Sequence, residues 1–212
     1  MKLNRAIIVT IAILVLAGCT RHVLQTSYYL LEYQPRQNIK KLIVKKPLPY
    51  SVEVRSFKIP RSYDSIRIIA RYSSHQIDYY RYSLWAVRPQ IAIADLIMQH
   101  VNTYKLFKSC QREFLEERPQ YEITGEIQQI ERYDNEGFSA AHLKARIDFI
   151  DYETNELIVS HEFDRELKIP PENMTIFAKA VSDMISDETN QFLEKVVDHF
   201  IPPEDELQPQ KP

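Results

Sequence analysis

Hydrophobic and polar residues alternate along three long segments in the second half of the chain. These segments are residues 121–128, 141–149 and 157–167. Polar turns at 135–137 and 153–155 separate them. A period of two residues predicts an antiparallel meander of strands, with one buried face and one solvated face. The alternation changes phase before Ile130, which predicts a β-bulge at that point.

Four segments in the first half of the chain also have strand character. They are residues 27–34, 51–59, 66–72 and 76–84. Pro60 stops the second of them, because proline cannot donate a hydrogen bond to a neighbouring strand. The last two form a predicted hairpin across Ser73-Ser74-His75.

Two other segments have apolar residues at spacings of three and four, which predicts amphipathic helices. The first runs over Gln90–Tyr104 behind Pro89, which suits the first turn of a helix, and the second over Met174–Phe200. Residues 201–212, rich in Pro, Glu and Gln, are expected to be a disordered tail. The order of elements predicts one α+β domain over residues 27–200, with a mainly antiparallel sheet and both helices packed on it.

The first residues have the layout of an export signal. Lys2 and Arg5 provide positive charge, and an apolar run from Ala6 to Ala17 follows. A membrane-spanning helix needs roughly 20 apolar residues, so this run is too short to cross a bilayer. A basic start and a short apolar centre are typical of a secretory signal peptide. The alternative is an uncleaved signal anchor.

The signal ends in a lipoprotein processing motif, Leu16-Ala17-Gly18-Cys19. The small residues Ala17 and Gly18 suit the groove of a peptidase, and Cys19 can form a thioether to diacylglycerol. We therefore predict a signal peptide over residues 1–18, a lipid-anchored Cys19 and a short tether over residues 19–26.

Charge and cysteine content narrow the class of protein further. Without Lys2 and Arg5 the mature chain has a net charge of about −4, so it lacks the basic surplus that neutralises nucleic-acid phosphates. If Cys19 is acylated, Cys110 is the one remaining thiol and no intramolecular disulfide can form. We expect Cys110 to be a buried small residue and not a nucleophile.

The sequence lacks the motifs of nucleotide binding, metal binding and hydrolysis. Beyond the signal its glycines are Gly125 and Gly137, too few for a loop that cradles phosphate. The six histidines are scattered without ligand spacing, and we expect His100 and His161 to be hydrogen-bonded core residues. We therefore predict no catalytic residue, no metal and no cofactor.

One segment, Tyr79–Pro89, combines aromatic residues with arginine, the composition of interface hot spots. Its candidate partner-binding residues are Tyr80, Tyr82, Trp85 and Arg88. The alternative is that half of these side chains fill the core, as strand alternation implies.

The ordered motifs of the chain resemble those of the ABC-type transport auxiliary lipoprotein components, the PqiC-like lipoproteins. The matching residues are Tyr28-Tyr29-Leu30-Leu31, Val52, Ile59-Pro60, Tyr63 to Arg71, Tyr79-Tyr80, Trp85-Ala86 with Pro89, and then Tyr121, Gly125 and Ile127. Each motif is short, but together they extend over most of residues 27–200.

The resemblance implies a non-catalytic, lipid-anchored auxiliary protein of an MCE-type lipid transport system. Its partners would be an MCE-domain protein and a separate ABC permease and ATPase, with the domain docking a periplasmic conduit at the membrane. Thr20 follows the lipid cysteine, where aspartate would favour the inner membrane, so we expect the outer membrane, facing the periplasm. The sequence leaves open whether the protein forms a homo-oligomer that matches a multimeric conduit.

Two other classes of function also stay open. One is a structural envelope lipoprotein that scaffolds or activates a cell-wall enzyme. The other is a hydrolase that uses carboxylates such as Asp148 and Asp151 without a recognisable motif. The expected position of these carboxylates on solvated strand and loop faces argues against the hydrolase.

Overall fold

The computed structural model describes residues 25–33, 42–135, 137–171 and 173–201, which contain eight strands and two α-helices. In chain order these are β1 (Ser27–Tyr29), β2 (Leu48–Val54), β3 (Arg67–Ser73), β4 (Gln76–Trp85), α1 (Pro89–Tyr104), β5 (Phe107–Gln111), β6 (Tyr121–Asn135), β7 (Phe138–Asp151), β8 (Leu157–Lys168) and α2 (Met174–Phe200). Several predicted features lie outside the described residues. They are the signal peptide with its Leu16-Ala17-Gly18 motif, Cys19, most of the tether and nearly all of the tail.

The predicted antiparallel meander is confirmed in β6, β7 and β8. β6 pairs with β7 along its whole length, and β7 pairs with β8. The predicted bulge is also present, because the register shifts between Ile127 and Gln129. Gly137 closes the first turn with a φ of 75°, a conformation that glycine adopts without steric cost.

The sheet forks at β6. β7 occupies one edge of this strand, while β2 pairs with its first residues and β3 with its last residues on the other edge. Both of these pairings are parallel. The chain from β2 to β3 therefore follows one edge of β6 and leaves it only in the loop after Pro60.

The expectation of a mainly antiparallel sheet is wrong, because the sheet is mixed. Two further pairings are parallel, β1 with β4 and β2 with β5, whereas β3 pairs with β4 in antiparallel fashion. Side-chain alternation determines which face a residue occupies, and it does not determine the direction of the neighbouring strand. The α+β class and the single domain are confirmed.

Both helices have the predicted positions and pack on one face of the sheet. Pro89 stands at the first position of α1, and the Asn173 side chain caps α2 by accepting a hydrogen bond from the Ile176 N–H. Phe149 of the sheet and Phe177 of α2 are fully buried in the core between the layers. No helix among the described residues is long and apolar enough to cross a membrane.

Gly125 allows close contact within the sheet. A Cβ atom at this position would lie 2.0 Å from the Arg146 carbonyl oxygen of β7 and 2.5 Å from the Phe57 ring. A real Cβ cannot approach a backbone oxygen so closely, so this position of β6 requires glycine.

Candidate functional site

The aromatic and arginine residues after Tyr79 divide between the core and the surface. Trp85 is only 2% exposed, and its ring centroid lies 5.5 Å from that of Phe177 in α2. Tyr82 is 38% exposed. Trp85 therefore belongs to the core, whereas Tyr82 forms part of the protein surface.

Arg88 is accessible at the start of α1. Its side chain is 56% exposed, and its Nη1 lies 3.3 Å from Oδ1 of Asp64, which is also partly exposed. An exposed ion pair of this kind contributes roughly 0–1 kcal/mol to stability. Arg88 can therefore exchange Asp64 for an acidic group on another molecule at low cost.

A wide irregularity interrupts the pairing of β4 with β3 in the segment that carries Tyr80 and Tyr82. From Arg67 to Ile69 β3 advances two residues, whereas β4 covers five, from Leu84 back to Tyr79. The extra residues leave the regular ladder and form what we call the β4 bulge, Tyr80–Ser83. Bulges re-aim side chains and are frequent beside functional sites.

Exposed apolar side chains occur on β1, on β4 and on the segments that flank β4. We call this set of residues the β1–β4 surface. It consists of Tyr28, Leu30, Ile66, Tyr82, Val87 and Ile91, which are six of the thirteen exposed large hydrophobic residues in the described part of the chain. Tyr28 and Leu30 are the most accessible of the six, at 62% and 65%. Neighbouring exposed apolar groups, such as Leu30 and Val87 on one groove, are typical of interaction sites, whereas single ones are not.

Two grooves flank Leu30 on this surface. One, of about 380 Å³, lies between β1 and α2, where Lys179 and Asp183 form an ion pair at 2.7 Å. The other, of about 170 Å³, lies between β1 and α1 and is lined by Val87 and Asp95. Leu30 therefore stands between two grooves whose rims carry charge.

A third cavity, of about 340 Å³, lies under the β4 bulge. Tyr80 and Ser83 of the bulge form one wall, and Tyr29 of β1 forms another. The remaining walls are Arg132 and Asp134 of β6, Ser139 of β7, and Pro171 and Met174 at the start of α2. We call it the Arg132 cavity.

Arg132 is the dominant polar group of this cavity and is 98% buried, with a relative exposure of 2%. Its Nε donates to Oδ1 of Asp134 at 2.8 Å, and Ser139 donates to the same oxygen at 2.9 Å. The Tyr80 hydroxyl donates to the other carboxylate oxygen, and burial followed by this hydrogen bond raises the pKa of Tyr80. Among the described residues Arg132 Nη1 has no partner.

A second polar cluster, on the opposite face of the sheet, surrounds Glu131, which is fully buried. Its carboxylate accepts hydrogen bonds from the Tyr63 hydroxyl and from Arg71 Nε, both at 2.5 Å, and lies 3.3 Å from Nδ1 of His142. Burial alone would raise the pKa of Glu131, but the hydrogen bonds from His142, Arg71 and Tyr63 outweigh it and lower the pKa to about 2. Glu131 is therefore ionised and holds the 60–66 loop against β6.

His142 links this cluster to the surface. Its Nε2 lies 2.8 Å from Oδ1 of Asp164, and its ring stacks on Tyr133 with centroids 5.0 Å apart. Burial lowers the pKa of His142, but the hydrogen bonds to Glu131 and Asp164 outweigh it and raise the pKa above its ordinary value. Sequence alternation placed His142 on the solvated face, so its burial was missed.

The two histidines predicted to lie in the core are both buried and hydrogen-bonded. His100 of α1 lies 2.5 Å from Asn190 of α2, and His161 of β8 lies 2.7 Å from Glu188 of α2. Cys110 is buried, and burial raises the pKa of its thiol to about 12, so it is a poor nucleophile. Within the described ranges, no group of three or more His, Cys, Asp and Glu residues could hold a metal ion.

Comparison with known proteins gives the family and the fold. A family model of ABC-type transport auxiliary lipoprotein components matches residues 29–192. Protein XCC0632 from Xanthomonas campestris has a similar structure, with a TM-score of 0.68 and 13% identity over 86% of this chain and 100% of that chain. A second crystal structure, of an uncharacterized protein, gives a TM-score of 0.63 and 13% identity over 81% of this chain and 99% of that chain. No curated protein matches the sequence.

At 13% identity the two solved structures show a shared fold and nothing more. The family model, in contrast, extends from β1 into the second half of α2 and covers well over half of the sequence. The resemblance carried by the short motifs of the sequence is thereby confirmed. The chain belongs to the family of ABC-type transport auxiliary lipoprotein components.

Proposed function

We propose that this protein is a non-catalytic, lipid-anchored component that docks the MCE-domain protein of an ABC-type lipid transport system. The separate permease and ATPase of that system would drive transport, and this domain would hold the periplasmic end of the conduit at the outer membrane. The β1–β4 surface carries the proposal, because it presents exposed apolar side chains and an exposed arginine at the edge of the sheet.

The composition of this surface suits a protein partner. Tyr28 and Tyr82 offer large contact areas with few rotatable bonds, and Arg88 offers charge-assisted hydrogen bonds. Trp85, the last residue of β4, packs against Phe177 in the core and so holds the end of this strand in place. A partner with an apolar patch and a nearby carboxylate would match this arrangement.

The predicted anchor would place the surface close to a bilayer. Ser27 lies eight residues after Cys19, a distance of at most about 29 Å in a fully extended chain. Two acyl chains would make the attachment stable, since each buried methylene contributes about 0.8 kcal/mol. The β1–β4 surface begins at Tyr28, so a partner that binds it would be held near the membrane.

The described polar groups favour a non-catalytic role. Asp148 accepts hydrogen bonds from Arg146 at 2.9 Å and from Ser160 at 2.6 Å. Asp151 accepts from the backbone N–H groups of Glu153 and Thr154 and so closes the turn after β7. Each carboxylate has a structural task, which argues against the hydrolase alternative.

Site-specific photo-crosslinking in cells tests the proposal. A photoreactive amino acid replaces Tyr82, and the matched control replaces Tyr72, which is 42% exposed on β3 but lies outside the β1–β4 surface. We expect the MCE-domain protein to crosslink at position 82 and not at position 72. Crosslinking of a cell-wall enzyme at position 82 would instead favour the scaffold alternative, and equal crosslinking at both positions would refute the docking surface.

Membrane placement needs its own test. Fractionation of the envelope should show the mature protein with outer-membrane markers, because Thr20 occupies the position that directs sorting. Co-migration with inner-membrane markers would reject this part of the proposal and leave the docking surface untouched.

A further inference from the structure

We infer that the Arg132 cavity binds a phosphate group, either as free phosphate or as the headgroup of a phospholipid. This inference is independent of the docking proposal, because the Arg132 cavity and the β1–β4 surface consist of different side chains. Three features of the cavity lead to it: a guanidinium with an unpaired donor, a carboxylate that already accepts three hydrogen bonds, and a helix N-terminus.

The guanidinium of Arg132 has donors that the protein does not use. Only Nε makes a short hydrogen bond, to Asp134, while Nη2 lies 3.4 Å from the Ser139 hydroxyl and Nη1 has no partner among the described residues. Leaving such a donor buried and unpaired is unfavourable, and an acceptor that enters the cavity removes this cost. Guanidinium groups match the geometry of phosphate oxygens through paired N–H donors.

Both oxygens of the Asp134 carboxylate already accept hydrogen bonds from the protein. Oδ1 accepts hydrogen bonds from Arg132 and Ser139, and Oδ2 accepts one from Tyr80. The carboxylate therefore orients the guanidinium and leaves the Nη1 side of it for another acceptor. An incoming group must accept hydrogen bonds, which favours an oxyanion over an amine.

The start of α2 adds to this preference. Met174, the first residue of this 27-residue helix, lines the cavity, and the first turn contains no acidic residue to offset the helix dipole. Helix N-termini favour anions through their free N–H groups and positive potential. With a volume of about 340 Å³ the cavity lies at the lower end of the range of small-molecule sites, which is enough for a phosphate and its first substituent.

The position of the cavity makes it accessible to phosphate from two sources, a lipid headgroup in the membrane and a free ion in water. Tyr29 lines it from β1, the strand that follows the predicted lipid tether, so a headgroup in the same membrane leaflet is within reach. Ser83 is half-buried and lines the cavity beside the exposed residues Arg81 and Tyr82 of the β4 bulge, so a soluble ion can also enter from water.

Calorimetric titration of the purified mature lipoprotein in neutral detergent tests the inference. The two probes are inorganic phosphate and a short-chain phosphatidic acid that stays monomeric. Arg132→Lys keeps the charge and removes the paired donors, and Ser83→Leu fills the cavity without touching the guanidinium. Arg118→Lys, at an exposed position before the opposite end of β6, is the matched control.

We expect both cavity variants to weaken binding at least tenfold while Arg118→Lys binds like the wild type. Near-ultraviolet circular dichroism checks that each variant is folded. If Arg132→Lys does not fold, Ser83→Leu alone still tests the inference. Binding of phosphate that both cavity variants lose supports a free-phosphate site. Binding of phosphatidic acid alone, lost in the same variants, supports a headgroup site. No heat with either probe, or binding that survives in both variants, overturns the inference.

Discussion

Replacing Glu131 with glutamine tests how the buried cluster stabilises the fold. The substitution preserves the size of the side chain and removes its negative charge. Arg71 and His142 would then lose the anion that they share, while Tyr63 would keep an acceptor. Because Tyr63 lies in the loop between β2 and β3, the change weakens the contact of that loop with β6.

The pKa of Glu131 gives the expected magnitude. Its pKa falls from an ordinary value of 4.5 to about 2, and each tenfold change in proton affinity corresponds to about 1.36 kcal/mol. The linked stabilisation is therefore on the order of 3 kcal/mol at neutral pH. Removing one partner of a buried ion pair costs about 3–5 kcal/mol in other proteins, which agrees with this magnitude.

Urea unfolding followed by circular dichroism measures the effect. We expect Glu131→Gln to lower the free energy of unfolding by about 3 kcal/mol at neutral pH. The depressed pKa means that the contribution is complete above pH 4.5 and is lost as the pH falls towards 2, so the two proteins should converge in that window. Asp164→Asn is the control, because Asp164 is 55% exposed and should contribute less than about 1 kcal/mol. A loss below about 1 kcal/mol in Glu131→Gln, or a gap independent of pH, would refute the reasoning.

Three further predictions follow from single residues. Gly125→Ala should lower the free energy of unfolding in urea by at least about 2 kcal/mol, because the added Cβ would lie 2.0 Å from the Arg146 carbonyl oxygen. Gly137→Ala is the control: its Cβ has no atom within 4 Å, and its positive φ should cost only about 1 kcal/mol. Equal costs for the two variants would contradict the prediction. Cys19→Ser should abolish the lipid mass increment in mass spectrometry and release the protein from membrane fractions, and unchanged membrane retention would disprove anchoring at this residue. Because the pKa of His142 is raised in the folded protein, its protonated form stabilises the fold below the ordinary histidine pKa, and this stabilisation is lost as the pH rises. The difference in unfolding free energy between wild type and His142→Gln should therefore be larger near pH 6 than near pH 8. The reverse order would count against the contribution of His142 to the cluster.

Local patterns along the chain predict the elements of this fold well. Both helices and the three long strands follow from spacing alone, because each has enough residues to repeat its period several times. β5, at Phe107–Gln111, was not predicted, since its five residues include lysine, serine and glutamine and show no clear alternation. The first predicted strand, over 27–34, contracts to the three residues of β1.

Pairings between distant strands could not be predicted in the same way. The parallel neighbours of β6 come from β2 and β3, which precede it by more than 45 residues. Their positions depend on the crossover through α1 and on the loop held by Glu131, and neither leaves a local signal.

The candidate sites show the same limit. The segment after Tyr79 was identified from its composition. Alternation assigns Trp85 and Tyr82 to opposite faces, but it does not show that the Trp85 face is the buried one, because the β4 bulge interrupts the period. The Arg132 cavity brings together side chains from four strands and the start of α2. The change of phase before Ile130 was its only trace in the sequence, since it places the charged residue Arg132 on the buried face.

The forked sheet also determines how the domain would respond to mechanical load. If Cys19 is held in a bilayer, any pull between membrane and conduit enters the domain through β1. This strand has three residues and, in the described part of the chain, pairs only with β4. This short strand is fixed by the hydrogen bond from the Ala86 N–H to the Tyr29 carbonyl oxygen and by that from the Glu32 N–H to the Ser182 hydroxyl. Tension would therefore detach β1 first and open the Arg132 cavity, while the long strands β6 and β7 stay paired.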